Sequence, residues 1–106
     1  MDYNFTIEIL DIAQLDIDGT VAYYAVQLQK PHLADRFLNN LETKYADIRK
    51  HPFMYQYDPN AKLAKQGIRH IPIDGYVIYY KAFADEQRIE IGRVLSEKQD
   101  NRNIKF

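Results

Sequence analysis

At 106 residues and a net charge of −1, the chain is long enough for one hydrophobic core and too short for two. Nine Tyr and five Phe argue against disorder, and the lack of Cys excludes disulfides and thiolate metal sites and suits a reducing cytosol. The near-neutral balance argues against a strongly nucleic-acid-binding protein, no apolar run approaches membrane-spanning length, and MDYNFTIEIL lacks the basic leader and apolar core of a signal peptide.

Residues 3–10 alternate, with Tyr3, Phe5, Ile7 and Ile9 against Asn4, Thr6 and Glu8, which predicts a half-buried strand. Ile17, Val21, Tyr24, Ala25 and Leu28 then recur at helical spacing and predict an amphipathic helix over roughly 11–29, with Asp11 as N-cap and Gly19 weakening its middle by about 1 kcal/mol. Ala34, Phe37, Leu38, Leu41, Tyr45 and Ile48 form one apolar stripe of a second helix. Pro31 suits its first turn, Lys44, Arg49 and Lys50 its end, and His51-Pro52 stops it. Two such helices joined across a proline predict an antiparallel hairpin with stripes to bury.

Residues 52–67 form a connection that is unusually apolar at Phe53, Met54, Tyr55 and Tyr57, with a short helical turn over Asn60–Gln66 closed by Gly67. Three strands follow: Ile68 to Ile73, Tyr76 to Ala82 and Arg88 to Leu95. Asp74-Gly75 predicts a type I′ hairpin turn, and Asp85-Glu86-Gln87 a second turn. Pro72 marks an edge strand or a bulge. Tyr76, Tyr79 and Tyr80 could stack nucleic-acid bases, but core packing accounts for at least two of them. After Leu95 the chain turns polar, which predicts a short extension ordered only in a complex.

Charge is unevenly placed. Residues 1–60 carry five Lys/Arg against nine Asp/Glu, residues 61–106 nine against six, so the sheet half is mildly basic and points to an anionic partner. Strand parity puts Arg93 in line with Ile89, Ile91 and Leu95, and Arg69 in line with Ile71 and Ile73. Arginines interrupting apolar rows suggest a site. A bulge at Gly92 or a frayed strand end would instead return them to solvent. His32, His51 and His70 lack metal-ligand spacing and fit structural or exposed roles.

The order β-α-α-loop-β-β-β resembles the RelE/ParE superfamily, toxins of type II toxin–antitoxin modules. The resemblance runs through Asp16-Ile17, Tyr23-Tyr24-Ala25, the segment Pro31 to Leu38, Pro52-Phe53-Met54, Leu63 to Arg69, Asp74 to Tyr80, Arg93-Val94-Leu95 and Lys98-Gln99-Asp100. It implies a single α+β domain over residues 1–106, with an N-terminal strand and a helical hairpin packed on a small, mainly antiparallel sheet. It implies a cytoplasmic growth-inhibiting toxin without cofactor or metal. Arg69, Arg93 and Lys98 match basic site positions.

RelE-like members cut mRNA on the ribosome, and ParE-like members inhibit DNA gyrase. The nuclease chemistry needs an acid and a base, and no His or Tyr follows Tyr80 here. Inhibition is therefore the first expectation, ribosome-dependent endoribonuclease activity the second, and a degenerate antitoxin-binding module the third. The implied partner is an antitoxin of about 50–100 residues, acidic toward its C-terminus, whose disordered segment folds on the toxin. Leu10, Val26, Leu33 and the aromatic loop offer apolar surface for it.

Overall fold

The computed structural model describes residues 4–106, so Tyr3, expected in the first strand, lies outside the described residues. In chain order the elements are β1 (Thr6–Ile9), α1 (Asp11–Ala22) running on into a π-helical turn (Tyr23–Gln27), α2 (Pro31–Lys50), α3 (Ala61–Lys65), β2 (Arg69–Ile73), β3 (Tyr76–Phe83) and β4 (Arg88–Ser96). The sheet order is β1-β4-β3-β2, with β1 parallel to β4 and the other two pairs antiparallel. This is the expected α+β architecture.

The helical hairpin covers one face of the sheet. Ala13 and Ile17 of α1 and Phe37, Leu41 and Ile48 of α2 are buried against Ile71, Ile73, Ile78, Tyr80, Ile89, Ile91 and Val94. Pro31 begins α2, where its missing N–H costs no intrahelical bond, and Arg49 and Lys50 face the carbonyl end of the helix dipole. Two expectations for α1 are corrected. Leu10 is the N-cap and Asp11 lies in the first turn, where its charge still complements the dipole. The helix is α only to Ala22; one wide turn follows, with Leu28 N–H donating to Tyr23 O at 3.0 Å. The phenol of Tyr24, within that turn, accepts a bond from Tyr76 OH at 2.9 Å, which ties the helix to the start of β3.

The Asp74-Gly75 turn forms as expected, both residues having positive φ (22° and 89°). Pro72 lies exposed on β2, an edge strand that its missing N–H protects from further pairing. α3 is the expected short turn: Asn60 Oδ1 accepts from Lys62 N–H at 3.0 Å, and Gly67 follows at φ 79°.

The parity expected for β4 is corrected by a bulge. Tyr79 pairs with Arg93 and Tyr80 with Ile91, leaving Gly92 as the extra residue. Ile89, Ile91 and Val94 therefore face the helices, while Leu95 joins Val77 and Tyr79 on the other face. That face has a second, smaller core of Leu63, Ile68, Val77, Tyr79 and Leu95, with Ile104 and Phe106 packed on it. The C-terminal extension thus folds back within the monomer, against the expectation that it orders only in a complex. The Phe106 ring fills the space that a Cβ on Gly92 would need. Among the described residues, no helix is long and apolar enough to cross a membrane.

Candidate functional site

Arg69 opens β2 and stands opposite Tyr80, on the face the helices cover. Its Nη1 donates to Tyr55 O at 2.7 Å, and its guanidinium lies 4.2 Å from the ring centre of Tyr57 and 5.2 Å from that of Phe53. The aromatic loop is therefore held in place by the arginine. Tyr57 also bridges to Arg69 through the backbone, and Tyr80 OH donates to Pro52 O at 2.8 Å from beneath. Even so, the loop stays partly uncovered, with Phe53, Met54 and Tyr57 each about half exposed.

Arg93 follows the bulge and stands opposite Tyr79, on the other face. Its Nε and Nη2 donate to the two carboxylate oxygens of Asp16 at 2.7 and 3.0 Å. The Asp16 bond holds the guanidinium's pKa above its ordinary value, so Arg93 stays charged. The same carboxylate accepts the N–H of Val94 at 3.1 Å. Lys98 lies in the exposed turn after β4, its backbone N–H donating to Ser96 Oγ at 3.3 Å.

The three basic residues expected to share a site thus start from two faces and a turn, and among the described residues the two arginines share no hydrogen-bond partner. Nor do the tyrosines beside them offer a base. Burial pushes the Tyr80 phenol up to about 12, with Arg69 pulling the other way, and burial likewise raises Tyr79. Both remain protonated at neutral pH. Tyr79 and Tyr80 are buried packing residues, not stacking platforms.

A polar cluster escaped the sequence analysis. Asp58, in the loop before α3, is 2 % exposed. Its carboxylate accepts from Asn60 N–H at 2.8 Å and lies 2.8 Å from Nδ1 of His70. Asn101 Nδ2 reaches both Asp58 Oδ1, at 3.4 Å, and Tyr79 OH, at 3.5 Å. The loop before α3, the edge strand and the C-terminal segment meet on this one carboxylate. The backbone adds Asp58 N–H to Ile68 O at 2.9 Å and His70 N–H to Gln56 O at 3.2 Å. Local sequence shows only Asp-Pro-Asn, a turn signature, and nothing that predicts a carboxylate's burial.

The family model described as the ParE toxin of type II toxin–antitoxin systems, parDE, matches residues 7–101. Among solved structures, the fold is similar to the chromosomal ParDE toxin–antitoxin system of P. aeruginosa, with a TM-score of 0.68 at 13 % identity, covering 89 % of this chain and 97 % of that one. It is also similar to the toxin–antitoxin complex RelBE2 of Mycobacterium tuberculosis, with a TM-score of 0.62 at 14 % identity, covering 89 % and 99 %. No curated protein matches by sequence. At such identities the structures speak for the fold, while the family match spans nearly all of the sequence. The chain belongs to the ParE toxin family of type II toxin–antitoxin systems.

Proposed function

We propose that this toxin arrests growth by binding its target, DNA gyrase, and not by cleaving RNA, and that a cognate antitoxin neutralises it. The carrying observation is the dispersal of the cations. Arg69 is committed to Tyr55 O and two aromatic rings, Arg93 to Asp16, and they stand on opposite faces of the sheet. Metal-free cleavage needs a base at the 2′-hydroxyl, an acid at the leaving 5′-oxygen and cations on the same phosphate. Dispersed cations serve a broad binding surface better than a reacting phosphate.

One observation favours the second reading, ribosome-dependent mRNA cleavage. His70 is oriented through Nδ1 by a buried carboxylate, as a general base would be. Inducing the toxin without its antitoxin separates the two. Filamentation in cells, with loss of supercoiling by purified gyrase and intact mRNA, supports the first reading. Rapid translation arrest with mRNA cut at ribosome-occupied positions, abolished by His70→Ala, would replace it with the second.

A further inference from the structure

Residues 101–106 follow the turn after β4 and lie back over the outer face of the sheet, pinned at both ends. Asn101 Nδ2 donates to the buried Asp58 at 3.4 Å, and Asn60 Nδ2 donates to Asn101 Oδ1 at 3.4 Å. At the far end Arg93 Nη1 donates to Lys105 O at 3.3 Å, and the Phe106 ring fills the notch over Gly92. The φ of Gly92 is not positive, so its backbone makes no demand for glycine; the ring does. Between the two pins the segment stands against α3, and together they enclose a cleft of about 140 Å³. Leu63 and Ile104 line its apolar part, and Leu63 is buried. Around them stand Lys62 and Gln66 on the α3 side and Arg102, Asn103 and Lys105 on the other.

The charge of this cleft is one-sided. Among the described residues no Asp or Glu lines it. Asp100, outside the lining, holds Arg102 through Nε at 2.8 Å and Nη2 at 2.6 Å, and Nη1 has no partner among the described residues. Three cations less this one carboxylate leave two positive charges around a compact opening. A phosphate monoester carries a charge of about −1.5 to −2 at neutral pH and three strong acceptor oxygens, whereas a carboxylate carries one charge and two oxygens. A nucleic-acid backbone has a single charge per phosphate and is bound along an extended basic track, not in one compact cleft. We propose that the cleft is a phosphate site, taking the terminal phosphate of a phosphate monoester between Lys62 on one wall and Arg102 and Lys105 on the other. Its walls come from segments about 40 positions apart, so it exists only while the C-terminal segment is docked. A bound phosphate bridges the two walls and in turn favours the docked arrangement. The lining includes neither Arg69 nor the aromatic loop, so the proposal stands apart from the choice of target.

Titration of the isotope-labelled toxin with inorganic phosphate at constant ionic strength, followed by NMR, is the test. Saturable shifts are expected at the amides of Lys62, Gln66, Asn103 and Lys105, with a Kd on the order of 1 mM. Acetate at the same ionic strength should give none. Adenosine monophosphate should saturate the same amides, and adenosine should not. Tighter binding of the nucleotide than of phosphate names nucleotides as the source, equal binding names the phosphate itself, and both uphold the site. Lys62→Glu and Lys105→Glu should each weaken phosphate about tenfold. Gly92→Ala should weaken it by a similar factor, although it alters no charge and lines no part of the cleft. Phe106→Ala removes the ring without adding an atom and should do the same even where the glycine variant fails to fold. Phosphate should also slow hydrogen exchange at Ile104 in the parent chain. Shifts that do not saturate, an equal response to acetate, or full binding in both lysine variants overturn the proposal. So does full phosphate binding by Phe106→Ala with Ile104 in fast exchange, or binding of duplex DNA without binding of phosphate.

Discussion

Arg93 and Asp16 stand 77 positions apart in sequence, and their side chains meet through two hydrogen bonds, at 2.7 and 3.0 Å. The carboxylate also accepts the Val94 N–H, just beyond the point where β1 ends and the edge of β4 loses its partner strand. Asp16 thus completes a sheet edge as well as an ion pair. Both side chains are largely buried, at 17 % and 13 % exposure. Asp16→Ala should therefore destabilise by about 3 kcal/mol, leaving the guanidinium with only the Lys105 carbonyl, at 3.3 Å, and the Val94 N–H without an acceptor. Arg93→Ala should cost about half as much, because Asp16 keeps Val94. Urea denaturation of both variants decides it, and a larger loss for Arg93→Ala would show that the pair matters more than the edge.

Toxicity assays on the basic residues need this distinction. Lys98 is exposed, with no side-chain partner among the described contacts, so Lys98→Ala should leave the melting temperature unchanged and reduce toxicity only if it touches the target. Arg69→Ala and Arg93→Ala should each reduce toxicity while also lowering stability by about 1–3 kcal/mol. Arg69→Lys should recover less than half of the Arg69 loss, since lysine lacks the flat fork that spans Tyr55 O and the two rings. Colony formation read beside thermal melting is the measurement. Full toxicity in all three alanine variants would remove these residues from the site.

Alkaline pH tests the buried phenols. Burial raises Tyr45 and Tyr80 to about 12 from the usual 10. A raised folded-state pKa means that the unfolded chain loses its proton first, so stability is full below pH 10 and falls as pH rises toward 12. Each phenol should account for about 2 kcal/mol over that window. Tyr45→Phe should flatten the decline. It should also stabilise the protein at neutral pH by about 1 kcal/mol, because the Tyr45 hydroxyl is buried without a partner among the described residues.

Gly92→Ala should release the C-terminal segment, since the Phe106 ring occupies the place of the new methyl. Faster hydrogen exchange at Ile104, with the β4–β3 ladder still protected, is the expected pattern. Unchanged exchange at Ile104 would show that Phe106 contributes little to holding that segment.

Short-range chemistry made much of this fold legible. The stripe of α2 and the Asp74-Gly75 turn state their structures within a few residues, because helical period and positive φ are local properties. The bulge was legible only as an alternative, since Gly92 announces backbone freedom without saying whether the ladder uses it. Strand parity then misled for Leu95 and Arg93, as one inserted residue reverses every assignment beyond it. Asp16, Asp58 and His70 were illegible for another reason. Apart from the Asn60 N–H beside Asp58, their partners lie 12 to 78 residues away, and a carboxylate that will be buried carries no local mark of it.

The parallel pairing of β1 with β4 joins Thr6 to Arg88 across nearly the whole chain. During synthesis the first strand must wait for the last, and at roughly 5–20 residues per second that wait lasts several seconds. The hairpin of α1 and α2 emerges early and stands without the central strands that bury its stripes. A nascent toxin is therefore unfinished until β4 has been made, which delays the danger to the cell that makes it and leaves its apolar helices open to whatever protein is already waiting.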